Sequence, residues 1–238
     1  VEAPAPFRGD ATILAFGEGL RADDARESPS ARGAGALPGW LTAEAPREAA
    51  PAPLNPSRAG GIGRGDPERA LEGRLAHALI EMLPNLLPER RPDAAAAYLD
   101  AWGRALSESA RKALASKALA TIDAPDLSRL FGPGSRGEVA LAGRLARPGR
   151  PDLPYSGRLD RLVATGEEVS IVDFKLGHKP DRPAAAHVAQ LALYRAALQP
   201  LYRGLPIRAA LVYLDGPTLA PVGETELDAA LNAVIDAS

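Results

Sequence analysis

Between Ser156 and Lys175 the chain reads as two short strands joined by a Thr-Gly-Glu-Glu turn, and this stretch constrains everything around it. In the second strand Val169, Ile171, Asp173 and Lys175 share one parity, so their side chains point to one face. A purely structural strand has no reason to continue its buried apolar row with a carboxylate and then an amine. A buried charge is costly unless it is paired or holds a metal. Asp160, at the end of the preceding strand, brings a second carboxylate beside the first. Two acids and a lysine at a strand edge suit a divalent cation and a water to be activated next to it.

That chemistry has to be done without thiols, because the 238 residues include no cysteine. Disulfides, thiolate zinc sites, cysteine-ligated iron–sulfur clusters and a cysteine nucleophile are excluded together. Hydrophobic content of 46% and charged content of 24% are ordinary for a globular protein. The length allows one sizeable domain plus appendages. No apolar run approaches the ~18 residues of a membrane span, and no signal-peptide pattern opens the chain. A soluble, intracellular protein without membrane partners is expected. The chain opens at Val1 rather than Met, as a piece of a longer protein would. The formal net charge is -2, so any basic footprint for nucleic acid must be local. Lysine appears only as Lys112, Lys117, Lys175 and Lys179 in an arginine-rich chain. A lysine at the strand end is therefore a clue, since lysine can lend or lose a proton and arginine cannot.

Taken in order, residues 1–20 hold one apolar run, Thr12 to Phe16, which reads as an edge or docked strand. Residues 21–58 read as a Pro/Ala-rich linker or wrap, with Trp40 and Leu41 as a possible anchor. The folded domain is expected over 59–238. Asp66-Pro67-Glu68 starts a helix with a cap, a proline and a first-turn acid. Its apolar stripe is Leu71, Leu75, Leu79 and Met82. His77 lies off that stripe with Gly73, Arg74 and Glu81, and Pro84 ends the helix. Asp93 is expected to cap an alanine-rich helix through Tyr98, Trp102 and Leu106. A further helix follows from about Ser107 to Leu119, and a short helical turn from Pro125 towards Phe131. Alternation then predicts a strand over Glu138–Ala146, a Pro/Gly-rich connection over Arg147–Tyr155, and the two central strands. A helix over about Ala184–Leu201 packs through Val188, Leu191, Ala192 and Leu198. Ile207–Leu214 is a buried-type strand, Thr218–Val222 pairs back on it, and Thr225 caps a last short helix. Three strands in a meander, a helical crossover and a fourth strand in parallel make a mixed sheet with helices on both faces. No internal repeat is visible.

Gly157-Arg-Leu-Asp160, Val172-Asp173-Phe-Lys175 and Gln190-Leu-Ala-Leu-Tyr194, with a helical His77 upstream, resemble the RecB-like branch of the PD-(D/E)XK nuclease superfamily. Its patterns are a first-helix histidine, G-x-x-D, D-x-K and Q-x-x-x-Y. The resemblance spans about Leu54 to Val234. In detail it runs to the C-terminal nuclease domains of AddA-type subunits of bacterial AddAB helicase–nucleases. It implies an α/β fold with a restriction-endonuclease-like core, a mixed sheet flanked by helices, a helical insertion and an extended N-terminal segment. It implies a magnesium-dependent deoxyribonuclease, with manganese able to substitute, acting exonucleolytically on single-stranded DNA during double-strand-break repair. A helicase motor in the same full-length protein, an AddB-type partner and a bacterial cytoplasmic, nucleoid-associated setting follow from the same resemblance. No G-x-x-x-x-G-K-[ST] loop occurs, so no ATP site is expected within this chain.

By that resemblance His77, Asp160, Asp173 and the backbone carbonyl of Phe174 hold the metal. Lys175 orients water or stabilises developing charge, Gln190 and Tyr194 lie over the site, and Glu138 reaches the metal's outer shell. Arg74, Arg144, Arg158, Arg161 and Arg195 are candidates for phosphate contacts, which are sequence-blind and salt-sensitive. Leu176-Gly177 departs from the hydroxyl-bearing residue and glycine that usually follow the lysine, which removes one possible contact. Each residue also has an ordinary explanation. Asp160 between Arg158 and Arg161 makes a plain ion pair, Asp173 and Lys175 an i, i+2 salt bridge on a sheet edge, and Gln190 and Tyr194 an ordinary helix pair. A nuclease-like scaffold that binds DNA or a partner subunit without cutting, and a plain structural domain, are the rival classes.

Overall fold

The computed structural model describes residues 53–56 and 66–237. The Thr12–Phe16 run and the Trp40–Leu41 anchor lie outside the described residues. The elements run α1 (Pro67–Met82), α2 (Arg91–Trp102), α3 (Glu108–Asp123), β1 (Ser135–Arg147), β2 (Arg150–Ala164), β3 (Val169–Lys175), α4 (Ala185–Leu198), β4 (Ile207–Tyr213), β5 (Thr218–Val222) and α5 (Glu224–Ala237). Short 3-10 turns occupy Leu83–Asn85, Pro88–Arg90 and Pro125–Phe131.

The sheet has the order β1-β2-β3-β4-β5. β1, β2 and β3 form an antiparallel meander, β4 lies parallel to β3, and β5 returns antiparallel to β4. The expected mixed sheet with helices on both faces is therefore the observed one. β3 and β4 are buried nearly throughout, as the central strands of a sheet covered on two sides must be. Successive residues feed opposite cores. Val172, Phe174 and Val212 join Leu75, Leu79 and the helices α1 to α3. Val169, Ile171 and Leu211 join Leu191, Tyr194 and Leu198 of α4.

Several boundaries differ from expectation, each for a local reason. Asp93 does not cap α2; the turn Pro88–Arg90 runs straight into the helix, which begins at Arg91 with Arg90 already helical and no side-chain cap. Leu106 lies beyond that helix but is buried, whereas Trp102 is 69% exposed. Ser107 caps α3, and the helix runs on to Asp123. Arg147–Tyr155 is not a loose connection: β1 and β2 close as a hairpin, and β2 already starts at Arg150. Pro151 and Pro154 are tolerated because this half of β2 has no ladder with β3, which pairs only from Arg161 onward. Its open side is met instead by Leu54, which donates to the carbonyl of Pro154 and accepts from the N–H of Ser156. Thr225 sits inside the first turn of α5, since Glu224 already belongs to the helix. That helix is 14 residues long rather than short.

Candidate active site

β2 and β3 stop pairing at Arg161 and Val172, one residue short of Asp160 and Asp173. Where the strands part, the Asp160 carboxylate replaces the missing ladder bond. Its Oδ2 accepts the backbone N–H of Phe174 at 2.8 Å. Its Oδ1 lies 3.3 Å from Nδ1 of His77, which arrives from α1. Burial alone would raise the Asp160 carboxyl, but the His77 bond and charge, with the Phe174 N–H, hold it below the usual range. Burial alone would lower His77, yet its bond to Asp160 and that acid's charge hold the imidazole above its ordinary value. The α1 face that lines this cleft is the one off the apolar stripe: Gly73, Arg74, His77 and Glu81.

Asp173 is 1% exposed and belongs to a second cluster. Its Oδ2 is 2.6 Å from Nζ of Lys175, and its Oδ1 accepts from Nε2 of Gln190 at 2.9 Å. Lys175 in turn reaches Oε1 of Gln190 at 3.4 Å. Burial, then the charge of Asp160, raises the Asp173 carboxyl, against the pull of Lys175. Desolvation of a carboxylate in the low dielectric explains the direction. Gln190 is thus the clasp between the two residues of the D-x-K pair, which is why it sits buried on α4.

Glu138 is closer to the centre than its position at a strand start implies. β1 begins earlier, at Ser135, and Glu138 stands inside it with φ 50. A non-glycine residue in the left-handed region is uncommon and strained. Ligand atoms of His77, Glu138 and Asp160 all lie within 4.8 Å of one another. An imidazole nitrogen and two carboxylates at that spacing fit a divalent ion, with the nitrogen favouring manganese over magnesium. Burial and the neighbouring Asp160 and Glu81 charges raise Glu138, while Arg158 makes a 3.5 Å ion pair with it.

Tyr194 does not lie over the cleft. Its ring is fully buried, and its hydroxyl donates to the carbonyl of Arg158 at 2.5 Å. Gly157 passes against that ring: a Cβ there would stand 3.2 Å from Tyr194 and 2.7 Å from Pro56. The glycine of G-x-x-D and the tyrosine of Q-x-x-x-Y are therefore one packing unit that sets the course of β2 towards Asp160. Of the five arginines, Arg74 and Arg158 line the cleft and are exposed. Arg144 is exposed on the distal part of β1. Arg161 and Arg195 are buried, which takes both from the DNA-facing set. Arg161 donates to the carbonyl of Ile80 at 2.7 Å and stacks over Phe131, while Arg195 is paired with Asp228. His187, one turn before Gln190 on α4, was not singled out by its sequence context. Its i, i+3 spacing from Gln190 is the signal that places it on the same side.

These elements and residues stand in a cleft of about 510 Å³, lined by His77, Glu138, Asp160, Asp173, Lys175 and Gln190 among others. No curated protein matches the chain. Among solved structures, the crystal structure of SSO0001 is similar at 16% identity and a TM-score of 0.31, covering 68% of this chain and 75% of that one. The crystal structure of protein VC1899 from Vibrio cholerae is similar at 16% identity and a TM-score of 0.28, covering 72% of this chain and 57% of that one. The sheet order, the acids at the parting of β2 and β3, and a family model matching residues 57–236 agree: the chain belongs to the PD-(D/E)XK nuclease superfamily.

Proposed function

We propose that this domain is a metal-dependent deoxyribonuclease that hydrolyses phosphodiesters by in-line attack of water, acting exonucleolytically on single strands. The observation that carries the reading is the meeting of two clusters in one cleft: His77, Glu138 and Asp160 at metal-ligand spacing, and Asp173 with Lys175 beside them. A magnesium or manganese ion held by His77, Asp160, Asp173 and the Phe174 carbonyl, with Glu138 alongside, would polarise the scissile phosphate and acidify a bound water. The Phe174 carbonyl is a reasonable donor because a strand residue turns its N–H and C=O to the same edge. Its N–H already faces Asp160.

The protein's own groups then have separable tasks. Lys175 orients the attacking water or meets the charge that grows on the phosphoryl oxygens. Asp173 keeps that ammonium in place, and Gln190 fixes both. Arg74 and Arg158, exposed at the cleft, take flanking phosphates. Action within a helicase–nuclease in double-strand-break repair, beside an AddB-type subunit, is proposed on the motif resemblance alone.

The test is digestion of end-labelled single-stranded and duplex DNA with magnesium or manganese, comparing the wild type with Asp173→Ala. The variant is expected to lose at least ~100-fold in rate while its circular dichroism spectrum is unchanged. Equal cutting by the two proteins rejects the assignment. Binding of DNA without cutting by the wild type would favour the silent scaffold instead.

A further inference from the structure

Arg161 brings a permanent positive charge to the back of the site, and the chemistry proposed above gives it no task. It is 5% exposed. Its Nη2 holds the Ile80 carbonyl in the last turn of α1, and its guanidinium carbon lies 5.1 Å from the Phe131 ring centroid. It passes against Gly137, where a Cβ would stand 3.4 Å from its Nη1 and 3.5 Å from Cγ of Glu81. Its Nε has no hydrogen-bond partner among the described residues. A guanidinium this deep needs negative charge nearby, and the acids that act on it are Glu81, Asp160 and Glu138. All three line the cleft, whereas Arg161 does not. Asp160 precedes Arg161 in β2 and Glu138 follows the Gly137 that Arg161 passes, so acids open to the cleft adjoin a buried cation.

We propose that Arg161 is a built-in counter-cation of the metal centre. It neutralises the Glu81, Glu138 and Asp160 cluster from the protein side, keeps the metal-free site folded, and weakens the hold of the acids on an incoming ion. This inference rests on the metal-dependent reading above. It explains why the position holds an arginine, whose charge does not leave on burial, rather than a lysine. It also separates two effects that a merely structural residue would join. Loss of the charge should destabilise the metal-free protein and tighten metal binding at the same time.

The experiment is manganese binding by electron paramagnetic resonance, with thermal melts with and without manganese, on wild type, Arg161→Met and Arg161→Lys. Arg161→Met is expected to melt lower without metal, to bind manganese about tenfold tighter, and to gain more in Tm from it. Arg161→Lys should melt lower yet keep wild-type manganese affinity. Equal or weaker binding by Arg161→Met overturns the inference while leaving the metal reading intact. Absence of manganese uptake by the wild type overturns both. Should Arg161→Met fold only with manganese, its affinity also carries the cost of folding, and Arg161→Lys decides. Should it fold in neither condition, Arg161→Lys decides: unchanged affinity supports the counter-cation, and affinity that falls with stability rejects it.

Discussion

Lys175 acts on both His187, from α4, and His77, from α1, yet their surroundings drive the two in opposite directions. Burial, then the nearby Lys175 charge, pushes His187 down from 6.5 to about 4. The folded protein therefore refuses a proton that the unfolded chain accepts. Between those two values the unfolded state binds more protons, so stability falls as pH drops through that window. His77 is raised, so its contribution is complete below the unfolded value and is lost as pH rises through the folded one. Thermal melts of wild type and His187→Gln between pH ~6.5 and ~4 separate the two. The variant is expected to lose less Tm on acidification than the wild type. Identical slopes would mean that His187 gains its proton as easily in the fold as out of it. In the Asp173–Lys175 pair the carboxylate is 1% exposed. A buried ion pair adds little net stability, because desolvation offsets attraction. Its tight geometry, with Gln190 holding both partners, is therefore better explained by placement of the ammonium than by strength of the fold.

At the scale of elements, α4 and β2 are joined by the contact between Tyr194 and Gly157, and that contact is where the site's geometry is most exposed to mutation. Gly157→Ala would bring its new methyl within 2.7 Å of Pro56 and 3.2 Å of Tyr194. Overpacking of this kind is expected to cost about 1–3 kcal/mol. Tyr194→Phe keeps the ring but leaves the Arg158 carbonyl without its donor, at about 1–2 kcal/mol. Urea unfolding reads both changes. Metal binding should weaken in both variants, because β2 carries Asp160 three residues beyond Gly157; unchanged affinity would show that β2 holds its course without this contact. The two short patterns were legible as text, but their shared purpose was not, since a glycine and a tyrosine 37 positions apart in the chain meet only in space. β3 was legible because its alternation carries Asp173 and Lys175 on the face of Val169 and Ile171. β4 was legible as an apolar run interrupted only by Arg208. The first half of β2 was hidden by Pro151 and Pro154, which look like a loop until half of the strand is seen to lack a β3 ladder. Glu138 was underplaced because a φ of 50 leaves no trace in periodicity. Arg161 and Arg195 looked like DNA contacts because nothing in a sequence distinguishes a buried guanidinium from a solvated one.

For the folded unit as a whole, the sheet is a partition with a hydrophobic core on either side, and β4 shows how tightly the two are bound together. Leu211 and Val212 are adjacent in sequence, both 0% exposed, and belong to opposite cores. Leu211 packs with α4, and Val212 with the layer of α1, α2 and α3. Truncating Leu211 to alanine is expected to cost about 2–5 kcal/mol, and Val212→Ala somewhat less, since a smaller group is removed. Because the strand between the two cores is shared, neither layer can melt while the other keeps its wall. Both variants should therefore shift one and the same transition in far- and near-ultraviolet circular dichroism, with an unchanged m-value. The two side chains sit in separate clusters, so the double variant should lose roughly the sum of the single losses, within about 0.5 kcal/mol. Separate transitions would show that the layers fold independently. The site would then be suspended between two units rather than built on one, because His77 comes from one layer, Gln190 from the other, and the acids from the sheet between them.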